Sequence, residues 1–241
     1  MRSAGFTETR LLRLAIEEAG KGLLELPALW LRPKETVVGW VVEVTGWDLV
    51  EAAIARGRGI IFLTPHLGCF EITAQYYAYR APARVPLTVL YRPPKKKALE
   101  PLMLLGRDRP NMRLASADLR GVRLLLRALK RGEAIGILPD QAPGVGEGEW
   151  AEFFGRPAYT MTLAARLAEV TDAQTILAYA QRLPRGRGYR LHFAPMPEPL
   201  AGEASARTLN RALEGLIRLC PAQYGWGYNR YKVPAGAQAP T

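Results

Sequence analysis

Residues 59–71 read GIIFLTPHLGCFE. After a turn at Gly59, the residues Ile60, Ile61, Phe62 and Leu63 form a short, unbroken apolar run of β-prone side chains. That is the pattern of a strand covered on both faces. From Gly68 to Tyr79 the apolar spacing becomes helical, so a buried strand passes into a helix through a turn that carries His66. The alternation recurs downstream. Val85–Tyr91 reads as a strand, and Ser116–Arg131 as a helix with Leu119, Val122, Leu125, Leu126 and Leu129 on one face. Ala134–Leu138 is another buried strand, followed by a long Gly/Pro-rich loop over Pro139–Tyr159. Thr160–Val170 is helical, Thr175–Arg182 and Tyr189–Pro195 are strands, and Ala204–Leu219 is the last helix. Such alternation predicts an α/β fold, a mostly parallel central sheet flanked by helices, with ligand-binding loops after its strands. Upstream, Arg10–Trp30 has apolar residues at 12, 16, 19, 23 and 26 and reads as a helix that Pro27 bends or ends. Helices are also expected over about 34–44 and 48–56, packed on or beside the sheet.

The chain has 241 residues, 49% hydrophobic and 23% charged, which excludes a disordered chain. The expected organisation is one domain, with an N-terminal helical segment over about 10–45, an α/β core over about 59–232 and a tail at 233–241. Cys69 and Cys220 stand far apart in no CxxC pattern, so neither a disulfide framework nor a metal site is expected. No apolar run reaches the roughly 18 residues of a spanning helix. No signal peptide is recognisable at the N-terminus, which points to a reducing, cytoplasmic compartment. Of 33 basic residues 26 are arginine, and the net charge is +11. This bias suits an anionic partner: nucleic acid, an anionic membrane or an acidic carrier protein. The basic residues are scattered and follow no nucleic-acid-binding motif, so no nucleic-acid partner is expected, and a basic nucleic-acid-binding protein is the remote alternative.

His66 stands where a buried strand ends, with Glu71 five residues on. If Gly68 lets the chain turn, the imidazole leans onto Glu71, and such a pair makes a general base. None of Ser3, Ser116 and Ser205 lies in G-x-S-x-G, and Cys69 suits a core, so the nucleophile is expected to be a substrate hydroxyl. The anion-directed features are Tyr91-Arg92-Pro93 with Lys95, Lys96 and Lys97, and Arg156 in the apolar-aromatic loop Phe153–Ala158. Arg120, Arg123, Arg127, Lys130 and Arg131 read as a solvated helix face, and His192 as structural.

In their order along the chain, "TPHLGCFE", "YRPPKK", "GVRLLLRALKRGEAIGILPDQAPG", "FFGRPAYTMTLAARLA" and "QYGWGYNRYK" resemble the late acyltransferases of lipid A biosynthesis, within the lysophospholipid acyltransferase superfamily. The resemblance covers about Arg10 to Lys232. It implies transfer of a fatty acyl chain from an acyl carrier protein or CoA thioester to a hydroxyl of an anionic glycolipid, with no cofactor besides that donor. It implies His66 as base, Glu71 as its orienting acid, Arg92 as a phosphate or donor contact, and Asp140 and Arg156 in substrate-binding loops. It also implies work at the cytoplasmic face of the inner membrane. Family members begin with a hydrophobic anchor helix, which is absent here, so peripheral attachment is expected. Cys69-Phe70 stand where the commoner motif has Asn-Trp, and Asp172–Leu177 where many members read GAPVVP. Both differences bear on the acceptor, which leaves another glycolipid, a lysophospholipid or an amino-acid-linked lipid as alternatives. A thioesterase using the same pair on water is a further alternative.

Overall fold

The computed structural model describes residue 1 and residues 8–91, 100–107 and 109–238. Its helices are α1 (Thr9–Leu31), α2 (Lys34–Gly39), α3 (Trp47–Arg56), α4 (Phe70–Arg80), α5 (Glu100–Arg107), α6 (Leu119–Lys130), α7 (Leu163–Thr171) and α8 (Ser205–Leu219). Its strands are β1 (Val41–Thr45), β2 (Ile60–Leu63), β3 (Leu87–Tyr91), β4 (Met112–Ser116), β5 (Ala134–Ile137), β6 (Gly148–Phe153), β7 (Arg156–Met161), β8 (Gln174–Arg182) and β9 (Tyr189–Pro195). Seven strands form one sheet in the order β1-β9-β8-β2-β5-β3-β4. Every neighbouring pair is parallel except β8 with β9.

Alternation along the central strands divides the core in two, because successive side chains leave a strand on opposite faces. Ile61 and Leu63 of β2 join Ile135 and Ile137 of β5 under α6, α7 and α8. Ile60 and Phe62 turn to the other face, where Leu29, Val37, Val50 and Ile72 of α1–α4 cover them. Both central strands are buried along their whole length. The α/β layering read from residues 59–71 is thus the fold.

Several elements differ from the sequence reading. Pro27 lies inside α1 instead of ending it. An internal proline costs a helix about 3 kcal/mol, which the turn beyond it offsets by burying Leu29 completely. The helix expected over 34–44 stops at Gly39, and Val41–Thr45 forms an edge strand parallel to β9. The β-branched residues there satisfy their backbone in the sheet. The loop expected over 139–159 contains the β6–β7 hairpin, whose two-residue turn is Phe154-Gly155. Both turn residues have positive φ, +48° and +74°, as a twisted two-residue hairpin requires. The helix expected from Ser116 begins at Leu119, because Asp118 caps it by accepting the backbone N–H groups of Arg120 and Gly121. β4 and α5 were not expected at all.

Candidate active site

Strand register brings His66 and Asp140 together. β2 and β5 are neighbours, with Leu63 opposite Ile137, and the Thr64 N–H donates to the Ile137 carbonyl at 3.0 Å. Each functional residue stands three positions beyond its member of that pair and directly after a proline. The two segments read Leu63-Thr-Pro-His66 and Ile137-Leu-Pro-Asp140. Both therefore emerge at the C-terminal edge of the sheet, where the connecting loops of a parallel sheet leave a crevice.

Asp140 is only 2% exposed. Its Oδ2 accepts the His66 backbone N–H at 2.9 Å, and its Oδ1 lies 2.8 Å from His66 Nδ1. A carboxylate can only accept, so Nδ1 carries the ring proton and Nε2 keeps its lone pair. Nε2 lies 3.5 Å from Gln141 Nε2, on the cleft side. Burial of the ring opposes its charging, but the charge and hydrogen bond of Asp140 outweigh burial. Glu71 adds to this and Arg107 subtracts, and the net is an imidazole pKa above the ordinary 6.5. Burial pushes the Asp140 carboxyl up, yet the charge and hydrogen bonds of His66 hold it below its ordinary range.

The turn between His66 and α4 is held on three sides. Gly68 has φ +60°, and a Cβ there would lie 1.9 Å from the Ala180 carbonyl oxygen, so only glycine fits. The N–H of Cys69 donates to that same oxygen at 2.8 Å, and the N–H of Gly68 donates to the Gln223 carbonyl at 2.9 Å. Gly225 donates to the His66 carbonyl at 2.7 Å. Burial foremost, and then the charge of Asp140, push the buried Tyr224 phenol pKa well above its ordinary value. The segment from Gln223 to Gly225 thus clasps the turn that carries His66.

Glu71 is elsewhere engaged. It sits in the first turn of α4, where its carboxylate meets Arg107 of α5 at two points, Nε to Oε2 at 3.2 Å and Nη2 to Oε1. The imidazole therefore leans onto Asp140, not onto Glu71 as the spacing suggested. α4 starts at Phe70, whose ring meets the imidazole edge-on at 4.9 Å. Arg156 is exposed beside the hairpin turn, its guanidinium 4.4 Å from the Tyr231 ring centroid, and it does not line the cleft. Arg92 and Lys95–Lys97 lie outside the described residues. Cys69 is buried, and burial foremost pushes its thiol pKa well above the ordinary value, so it is no thiolate nucleophile.

His66 faces a cleft of about 500 Å³ whose wall includes Phe70, Leu90, Met103, Arg107 and Leu119. A smaller pocket of about 60 Å³ shares Phe70, Leu90, Leu138 and Arg107 with it and is floored by Phe62, Tyr77 and Phe193. The sequence reading missed Arg107, which lay in a stretch assigned to no element. It also missed that Asp140 would be the partner of His66. The matching apolar–x–Pro endings of two buried strands were the available signal.

The family model described as "Bacterial lipid A biosynthesis acyltransferase" matches residues 6–233. The chain is 30% identical over 223 residues to the "Lipid A biosynthesis lauroyltransferase" of Escherichia coli (strain K12), covering 90% of this chain and 70% of that protein. It is 28% identical over 222 residues to the "Lipid A biosynthesis palmitoleoyltransferase" of the same strain, with the same coverage. It is 25% identical over 185 residues to the "Lipid A biosynthesis acyltransferase" of Haemophilus influenzae, covering 76% of this chain and 57% of that protein.

Proposed function

The chain belongs to the bacterial lipid A biosynthesis acyltransferase family and is an O-acyltransferase of glycolipid synthesis, and we propose that His66, oriented by Asp140, is its general base. The observation that carries this reading is the 2.8 Å contact of His66 Nδ1 with Asp140, which leaves the Nε2 lone pair to the cleft. An acceptor hydroxyl gives its proton to Nε2 as its oxygen attacks the carbonyl of a carrier-protein or CoA thioester. Asp140 stabilises the imidazolium so formed. The tetrahedral adduct collapses, the C–S bond breaks, and the imidazolium returns the proton to the departing thiolate. The product is an ester and a free thiol, with no covalent acyl-enzyme. The absence of a competent cysteine at the imidazole fits this direct transfer. The apolar cleft and pocket suit a hydrocarbon chain, and the Glu71–Arg107 pair beside them reaches His66 through its charges.

The acceptor we propose is a lipid A precursor, met at the cytoplasmic face of the inner membrane. Among the described residues no helix is long and apolar enough to cross a membrane. α1 nevertheless carries an outward stripe of Ile16, Leu23, Leu24 and Leu31, exposed by 67%, 72%, 82% and 60%. A stripe of that kind next to basic residues such as Arg13 and Lys21 suits an anionic lipid surface.

The test is incubation with dodecanoyl-CoA or dodecanoyl carrier protein and a lipid A precursor, read by mass spectrometry. The expected product is the precursor plus one dodecanoyl group. His66→Ala should lower its rate by about 10²–10⁴-fold without changing the circular dichroism spectrum. Turnover close to that of the parent chain would remove His66 from the mechanism, and release of free dodecanoate alone would indicate a thioesterase.

A further inference from the structure

The C-terminal end of β8 carries a charged cluster that the reaction scheme above does not use. Arg182 is 11% exposed and lies against α1, where Gly22 leaves room for it: a Cβ on Gly22 would be 3.1 Å from Arg182 Nη2. The guanidinium meets Glu25 of α1 at two points, through Nε at 2.8 Å and through Nη2. Glu25 also accepts the Tyr189 hydroxyl at 3.0 Å, and Glu18 stands 3.5 Å from Arg182 Nη1. The same Nη2 donates to the carbonyl oxygen of Gly68 at 3.0 Å. The backbone of Arg182 exchanges two hydrogen bonds with the Gln223 side chain, and the Gln223 carbonyl accepts the Gly68 N–H. Both polar groups of the Gly68 backbone are therefore held by one cluster, two residues from His66.

We propose that Glu25 and Arg182 are positioning residues of the reaction: α1, through Glu25, holds Arg182 on the Gly68 carbonyl and so fixes the angle at which His66 meets Asp140 and the cleft. This rests on the assignment of His66 as base. Fastening α1 alone would be served as well by apolar contacts, because a buried ion pair adds little net stability over a well-packed hydrophobic replacement. What the ion pair adds is direction. A planar guanidinium clamped at two points by a carboxylate has its remaining N–H aimed along a fixed line, and here that line ends on the catalytic turn. The helix whose outer stripe suits a lipid surface is thus, on its inner side, part of the frame of the base.

The test uses the full chain and its two histidines, His66 and His192, whose ring signals NMR can follow without turnover. Glu25→Gln and Arg182→Lys should lower the His66 pKa as its contact with Asp140 loosens, and leave His192 where it was. With dodecanoyl-CoA and a lipid A precursor, kcat should fall by about 10–100-fold, with the KM for dodecanoyl-CoA little changed. Lysine should not rescue, because it cannot bond Glu25 at two points and Gly68 together. Should Glu25→Gln fail to fold, Tyr189→Phe, which removes one hydrogen bond to Glu25, should shift His66 in the same direction by less. A His66 titration identical to the parent's in the folded variants would overturn the proposal and leave the cluster as a fastener of α1. Because the NMR arm needs no substrate, a chain that transferred no acyl group would still decide this point.

Discussion

Asp140 and Glu71 are both buried carboxylates near one imidazole, and they reach it by opposite routes. Glu71 is five residues from His66 in the chain, yet its partner is Arg107, on a helix 36 residues further on. Asp140 is 74 residues away and accepts two hydrogen bonds from His66, one from the backbone and one from the ring. Closeness along the chain placed Glu71 on a helix that begins after the turn and faces α5. Register between two parallel strands placed Asp140 at the ring. A pair joined through a sheet is held by every hydrogen bond of that sheet, whereas a pair across a turn depends on a few local dihedrals. The proposed base is thus built on the more rigid of the two connections.

The largest effect that sharpens this comparison is expected at Asp140. Asp140→Asn keeps the shape but loses the charge that selects the Nδ1–H tautomer and stabilises the imidazolium, and kcat should fall by about 10²–10⁴-fold. The pH profile supplies its sign. As the proposed base His66 works neutral, and against the opposing effect of burial Asp140 raises its folded pKa above 6.5, so kcat/KM should rise with pH through a value above 6.5. Without Asp140, burial prevails and the imidazole loses its proton more easily, so the acid limb should move to lower pH. A limb that stays in place would mean that another group titrates.

Glu71→Gln should act differently. It leaves the half-buried Arg107 guanidinium without its carboxylate, and breaking such a buried pair costs about 3–5 kcal/mol of stability. The melting temperature should therefore drop, while turnover at a temperature where the variant is folded falls by much less than in Asp140→Asn. The comparison breaks if Glu71→Gln melts like the parent and loses as much turnover as Asp140→Asn. Glu71 would then be the working partner of the imidazole.

The smallest effect is expected on α1, whose apolar residues are likewise divided between two sides. Leu29 and Ala15 face the protein, whereas Ile16, Leu23, Leu24 and Leu31 face outward. Replacing Leu23 and Leu24 by Ser should leave the folding stability within about 1 kcal/mol of the parent, as exposed substitutions do, and should weaken sedimentation with anionic vesicles. Binding that is unchanged, or equal on neutral vesicles, would place the lipid contact elsewhere.

The sheet was legible because each central strand is a short apolar run that must be covered on both faces, and the helices between them show their buried stripes. Less legible were elements with weak or competing patterns. Val41–Thr45 follows a helix without a clear break, and the β6–β7 hairpin turns on Phe154, a residue that seldom takes positive φ. At the site, His66 was visible from its position after a strand. Its partner was not, since spacing along the chain measures contact only within one helix or turn.

From residues alone came the alternation of strand and helix, the histidine at a strand end, the expectation of a substrate hydroxyl as nucleophile and the acyltransferase motifs in order. These are local properties, set by side-chain periodicity over a few residues and by the chemistry each residue carries. Which carboxylate serves the imidazole, which arginines face the cleft and which side of α1 is packed were decided only when β2 paired with β5 and α1 met Arg182. Those contacts join residues up to 164 positions apart, and they exist because burial and strand register close the chain over distances that no local pattern records.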